Sequence, residues 1–446
     1  MKKFWAWLFA LPLCAVMLAP CALAATYTPP FETTAQAAYL INLDSDRVIY
    51  EKNIQTPMQP GNLAQLMTVI LTLEKVPDPA AALVTYKGHI QNEMYIYNTQ
   101  SPKQIQLAGL ISGDTLSVDK LLYAVCVRSA NEAAAMLADY VGDGSIPYFV
   151  EMMNQRAQEL GAKSTHFTSP HGLPDDAATT TAYDMMLLAR HASTLPGMEK
   201  YLGIVSYDGG PIDRIEHLYW NTTNQFAKSS APYYNTAVTC IKDSYIANSA
   251  LGAGVLSLAK KDGYTYMLVV MGCGASPAAE EYQSGFFETN RLYAWAFDTF
   301  RVKTLLEKGK SFDEVALRLC WGKDFLRLMS ADSFTALIPD EIEMSSVQYK
   351  LVLPAYVEAP IQKGALVGEV QLVLAGEMIG RVGVVSAEEV EASRALLLLD
   401  KLLGVTRTFW FKFIAVFLLM LLILYIALMI VRNRNRRRYR GKHRPK

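Results

Sequence analysis

The sequence predicts an α+β protein, with helices on an antiparallel sheet, then a small all-β sandwich and a C-terminal transmembrane helix. Three observations carry that expectation. Strand-like segments near residue 40 and between residues 251 and 271 bracket a long helical block. From about residue 303 the texture changes to short alternating strands separated by turns. Close to the end, Phe413 to Val431 is an uncharged apolar run of 19 residues, long enough to cross a bilayer.

In chain order, Lys2 and Lys3 precede an apolar run from Phe4 to Leu18 and then Ala22-Leu23-Ala24. That is the pattern of a secretory signal peptide covering residues 1–24. Pro20 beside Cys21 fits a lipid-attachment site poorly. Residues 26–36 read as a linker. Ala38 to Asn42 and Val48 to Tyr50 flank Asp44-Ser45-Asp46 as a hairpin. Leu63 to Glu74 is a strongly apolar helix. Ser117 caps a second helix that carries Leu121, Leu122 and Val125 on one face. Ser129 to Tyr140 is Ala-rich and helical, with Ser129 reading as its N-cap. Tyr148 to Leu160 is a further helix, closed by Gly161.

Leu251 to Ala259 and Tyr264 to Met271 are strands around the turn Lys260-Lys261-Asp262-Gly263. Phe286 to Thr299 closes this part as a helix. Val347 to Leu353 alternates, and Leu366 to Leu374 is a second strand of the β region. Ser386-Ala387-Glu388-Glu389 reads as a capping box that opens a stalk helix over 387–408. The expected divisions are therefore 1–24, 36–300, 303–386, 387–408, 409–431 and a basic tail at 432–446.

Formal net charge is zero, with 42 basic and 42 acidic residues, but the sum hides an asymmetry. Nine Lys and Arg lie between Arg432 and Lys446 without one acid, which leaves an acidic body between basic ends. A basic tail can signal nucleic acid binding. Directly behind an apolar span it is better read as topology, with the tail in the cytoplasm and Phe409, Trp410 and Phe411 on the outer side. No nucleic acid partner is expected. Cys126, Cys240, Cys273 and Cys320 show neither a disulfide framework nor metal-ligand spacing, so neither metal nor cofactor is expected.

Five segments carry a resemblance. Pro60-Gly61-Asn62-Leu63-Ala64-Gln65-Leu66-Met67-Thr68 is similar to P-A-S-L-T-K-x-M-T. Ser129-Ala130-Asn131 is similar to S-x-N. Ser169-Pro170-His171-Gly172-Leu173 is similar to N-P-H-G-L. Cys240-Ile241-Lys242-Asp243-Ser244-Tyr245 stands where K-T-G is found. Ala359-Pro360-Ile361-Gln362-Lys363-Gly364 is similar to A-P-I-x-K-G. In order and with this spacing, over roughly residues 36–386, the chain resembles the serine-type D-alanyl-D-alanine carboxypeptidases. These are low-molecular-mass penicillin-binding proteins with a beta-lactamase-like transpeptidase domain.

That resemblance implies a substrate, the peptidoglycan stem peptide, and roles for particular positions. A serine attacks the carbonyl between two terminal D-alanines, and a lysine one helical turn on takes its proton. Spacing i, i+3 puts the two on one helix face, about 5–6 Å apart at Cβ. Here those positions are Asn62 and Gln65. A carboxamide is neither nucleophile nor base at neutral pH. Residues that act as a unit fail together, so no half-mechanism is expected.

Ser129 and Asn131 match residues that relay protons and hold the substrate amide. Lys242 matches the lysine that binds the terminal carboxylate. Asp243 places a negative charge where the family has threonine. Like charges about 4 Å apart cost roughly 1 kcal/mol in water and about 4 kcal/mol at an effective dielectric of 20. Ser244 adds a side chain at the glycine position. The Tyr245 N–H corresponds to an oxyanion donor.

Ser117 with Lys120 and Ser257 with Lys260 also match S-x-x-K. Ser117 reads as a helix cap, and strand geometry points Ser257 and Lys260 to opposite faces. The favoured reading is a catalytically inactive family member, exported and held by one C-terminal anchor, that binds peptidoglycan or a cell-wall protein through Ser129, Asn131, Lys242, Asp243, Ser244 and Tyr245. One alternative is an active carboxypeptidase with an unrecognised nucleophile. A second is a membrane-anchored receptor or scaffold that uses its β-domain or tail.

Overall fold

The computed structural model describes residues 27–100, 105–212, 214–244, 252–274 and 281–441. The expected signal peptide and Tyr245 lie outside the described residues. The chain divides into two compact units. The first runs to Arg301 and includes Leu337–Glu341, and the second comprises Val302–Ala336 and Ile342–Lys446.

The first unit contains, in chain order, β1 (Ala37–Asn42), β2 (Arg47–Lys52), α1 (Gln65–Lys75), β3 (Leu83–Thr85), α2 (Gly88–Gln100), β4 (Thr115–Ser117), α3 (Val118–Arg128) and α4 (Asn131–Val141). Then come α5 (Ile146–Glu159), α6 (Ala182–Thr194), β5 (Ser206–Asp208), β6 (Tyr219–Asn221), β7 (Val238–Ser244), β8 (Ala253–Lys261), β9 (Tyr264–Cys273) and α7 (Glu281–Thr299). Five strands form one antiparallel sheet in the order β2-β1-β9-β8-β7, so β7 is an edge. The β8–β9 hairpin closes on Asp262 and Gly263, both with positive φ (52° and 84°), as a two-residue primed turn requires.

Alternation along β9 builds two cores. Met267, Val269 and Met271 face the helical block, while Tyr266, Leu268 and Val270 pack with Phe286, Leu292 and Tyr293 of α7. Both faces of the sheet are therefore covered. Helix α1 runs through the middle of the helical block, and every residue from Gln65 to Thr72 is buried. Its two buried threonines are hydrogen-bonded: Thr68 Oγ1 donates to the Pro170 carbonyl (2.7 Å) and Thr72 Oγ1 to the Thr68 carbonyl (2.7 Å). Small side chains of α4, among them Ala133, Ala134, Ala135 and Ala138, are fully buried in the same core.

The second unit is all-β before its helices, as expected. Strands β10 (Phe300–Leu306) and β13 (Phe334–Pro339) have residues in both units, and the second unit also holds β11 (Ser311–Arg318), β12 (Phe325–Ser330), β14 (Gln348–Val352), β15 (Val357–Glu358), β16 (Leu366–Leu374) and β17 (Glu377–Ser386). Six of them form a sheet in the order β14-β16-β17-β12-β11-β15. The expected capping box is corrected here. Ser386 ends β17, and its hydroxyl engages the Glu388 backbone instead of opening a helix. The Ile361–Val390 bridge keeps the chain extended. Helix α8 (Arg394–Arg407) begins only after Ser393, later than the predicted 387. Helix α9 (Phe409–Gly441) contains an apolar stretch, Phe409–Asn433, long enough to cross a membrane.

Candidate functional site

The motif segments meet beside the N-terminus of α1. A short 3-10 turn, Gly61–Ala64, precedes the helix, and Gly61 adopts φ 53°. The loop Ser169–Leu173 lies directly on this turn. A Cβ on Gly172 would sit 1.9 Å from the Gly61 carbonyl oxygen, and its φ of +71° also favours glycine. From the other side come the α3–α4 junction and the end of edge strand β7.

Ser129 does not cap α4. It is the C-cap of α3 in the left-handed region (φ 56°, ψ 33°), which corrects the helical assignment from Ser129. A left-handed non-glycine residue is uncommon and carries a conformational cost. It turns the chain so that the Ser129 hydroxyl meets β7. The Lys242 ammonium donates to Ser129 Oγ, and Ser129 Oγ donates to Asp243 Oδ1 (3.3 Å). Thr223 Oγ1 donates to the same carboxylate oxygen (3.2 Å). Lys242 Nζ also donates to the Asp243 carbonyl (3.0 Å) and stands 3.7 Å from Asp243 Oδ1. Both side chains are almost wholly buried, so this pair is held at low dielectric with its charges matched.

Asn62 and Gln65 make structural hydrogen bonds. The Gln65 amide donates to the carbonyls of Ser129 (3.1 Å) and His171 (3.1 Å), tying α1 to both neighbouring segments. Asn131 donates to Asn62 Oδ1 (3.2 Å) and to the His171 carbonyl (2.9 Å). The Asn62 backbone N–H donates to Ser244 Oγ at 3.0 Å. Buried Asn62 Nδ2 and Gln65 Oε1 have no hydrogen-bond partner among the described residues. Asn62, Gln65, Ser129, Asn131, Lys242, Asp243 and Ser244 are thus brought into one network.

A cavity of about 240 Å³ opens onto it, lined by Asn62, Ser129 and Asp243 within and by Gln106, Arg128 and Lys228 around them. Lys242 is not part of that lining. Sequence reasoning missed Gln106, Arg128, Thr222, Thr223, Gln225 and Lys228 as wall residues, since no motif marks them. Glu132 was missed as well, although an acid directly after Ser129-Ala130-Asn131, inside an Ala-rich apolar run, is a visible anomaly. It is fully buried, and Oε1 accepts from the Ala108 (2.6 Å) and Gly109 (3.2 Å) N–H groups. Burial pushes its carboxyl up to about 7 against those hydrogen bonds. It thereby fixes the 106–109 segment that carries Gln106 to the cavity.

The other serines and cysteines are occupied elsewhere. Ser117 caps α3, accepting from the Lys120 N–H (3.3 Å). Ser257 is buried in β8 against the Tyr293 hydroxyl (3.0 Å). Burial pushes the Cys126 thiol up to about 12 and the Cys240 thiol well above its usual range, which removes nucleophilic thiolate near the site. Among the described residues no group of three His, Cys, Asp or Glu side chains gathers as metal ligands.

With this geometry in view, comparison with known proteins is specific. Residues 24–275 match the D-alanyl-D-alanine carboxypeptidase family, and residues 300–392 match the penicillin-binding protein 5 C-terminal domain. D-alanyl-D-alanine carboxypeptidase DacF of Bacillus subtilis is 24% identical over 374 residues, 83% of this chain and 89% of its own length. The corresponding DacD of Salmonella typhimurium is 26% identical over 392 residues, 86% of this chain and 93% of its own. Among solved structures, DacD from Francisella tularensis superposes with a TM-score of 0.60 at 20% identity, covering 82% of this chain and 96% of that one. Penicillin binding protein 5 from Haemophilus influenzae gives 0.57 at 24% identity, with 82% and 100% covered.

Proposed function

This chain belongs to the D-alanyl-D-alanine carboxypeptidase family, and we propose that it is a catalytically silent cell-wall member that binds peptidoglycan or a cell-wall partner in its cleft without cutting. The observation that carries this reading is the hydrogen bond from the Asn62 N–H to Ser244 Oγ. An acyl-transfer enzyme needs a nucleophile, a base and free donors aimed at the developing oxyanion. Position 62 offers a carboxamide, and position 65 offers another. The backbone donor at position 62 is engaged by a side chain that glycine would lack. Three requirements are unmet at one place.

Binding is supported by what surrounds these losses. The cavity persists, lined by Asn62, Ser129 and Asp243. The proposal also places the chain outside the cytoplasmic membrane, held by α9, with the basic tail from Arg432 on the cytoplasmic side.

Labelling the full-length protein in detergent with a fluorescent penicillin tests silence: no stable adduct is expected, and an adduct on any serine overturns it. Sedimentation with purified peptidoglycan tests binding. Retention is expected for the wild type and reduced retention for Lys228→Ala, whereas no retention of the wild type overturns peptidoglycan as the ligand.

A further inference from the structure

We propose that the cleft selects a peptide whose inward end is an uncharged amide and disfavours a free carboxylate there. The inference rests on the reading that this cleft binds a peptide. It concerns the charge that the floor presents to whatever enters. The acid of the Lys242–Asp243 pair lines the cavity, and the base does not. Lys242 is 2% exposed and points its ammonium at Ser129 Oγ and the Asp243 carbonyl. An entering anion would have to break these bonds to reach the cation, and it meets the Asp243 carboxylate first.

An amide answers the floor where a carboxylate does not. Its N–H can donate to the Asp243 carboxylate, whose Oδ1 already collects Ser129 and Thr223 hydroxyls and so is organised as an acceptor. A carboxylate brings no N–H and is repelled by Asp243. Arg128 and Lys228 are half-buried cations on the same wall. Arg128 is held by its Nε bond to the Leu107 carbonyl (3.3 Å). They suit an acidic group elsewhere on the ligand. The ligand class is therefore an acidic peptide with an amide-capped or amide-linked end.

Isothermal titration of the full-length protein in detergent tests this with three synthetic peptides that share an acidic residue followed by D-alanyl-D-alanine. One ends in a free carboxylate, one in a carboxamide, and one has its terminal carboxyl joined to the Nε of lysine. At least one amide form is expected to bind about tenfold or more tightly than the carboxylate, and the two amide arms separate a capped end from a cross-linked one. Asp243→Asn should bring the carboxylate form level with the amides, with a thermal melt to confirm folding. Lys228→Ala, which leaves the floor intact, should weaken all forms by a similar factor. Equal or tighter binding of the carboxylate by the wild type overturns the selectivity and leaves the binding reading standing. Binding of none of the three overturns both.

Discussion

The Ser244 hydroxyl accepts the backbone N–H of Asn62 at 3.0 Å, across 182 residues of sequence. Two motif-like segments therefore close on each other: Ser244 at the end of β7 occupies the backbone donor of Asn62, which on the proposed reading stands at the nucleophile position. Restoring Asn62→Ser and Gln65→Lys alone should give little penicillin acylation. Adding Asp243→Thr and Ser244→Gly should raise the acylation rate by about a hundredfold or more, the usual worth of an oxyanion donor. Stopped-flow acylation of the double and quadruple variants measures the ratio, and equal rates would remove Ser244 from the account.

Lys242 and Asp243 form a buried pair, so removing one partner strands the other. Lys242→Ala is expected to destabilise by about 3–5 kcal/mol, and replacing both residues by apolar ones of similar volume by much less. Thermal melts of the two single variants and the double variant give the coupling. Additive losses would mean that the pair contributes nothing as a pair.

Glu132 has a carboxyl raised by burial to about 7. A raised carboxyl pKa means that the folded state holds the proton longer than the unfolded chain, so the native state is favoured at low pH. That stability is fully present below the usual carboxyl value, near 4.5, and is lost as pH rises through about 7. The loss is on the order of 3 kcal/mol. Glu132→Gln should flatten the stability profile between these limits. Urea titrations at pH 4.5 and 7.5 would expose the difference, and an unchanged slope would place the titration elsewhere.

Gly172→Ala puts a methyl group 1.9 Å from the Gly61 carbonyl oxygen at a backbone φ of +71°. Both the contact and the dihedral oppose it, so a loss of more than about 1 kcal/mol is expected. Because the shift falls on the turn that carries Asn62, peptide affinity should drop together with the melting temperature. A variant as stable as the wild type would show that the loop can retreat from the turn.

Much of this protein is legible along the chain. The α+β order follows from periodicity, and the unbroken apolar run from Tyr266 to Met271 suits a strand covered on both faces. The membrane-length helix is plain in composition. Asn62 and Gln65 can be located in their motif because flanking segments fix the register. Boundaries are less legible where a tertiary contact overrides local preference. Ser386 has the sequence of a capping box, yet sheet pairing of β17 and the Ile361–Val390 bridge keep it extended. Ser129 has the composition of a helix start, yet the α3–α4 corner requires a left-handed residue at that position.

The sequence by itself determined that positions 62 and 65 carry carboxamides, because side-chain chemistry belongs to single residues. Only the tertiary structure decided what these side chains and their neighbours do. Gln65 became a tie between two carbonyls, Lys242 turned away from the cavity, and Ser244 engaged the Asn62 N–H. Each depends on distances between segments 64 to 182 residues apart, set by how α1, the α3–α4 corner and the edge of the sheet pack together.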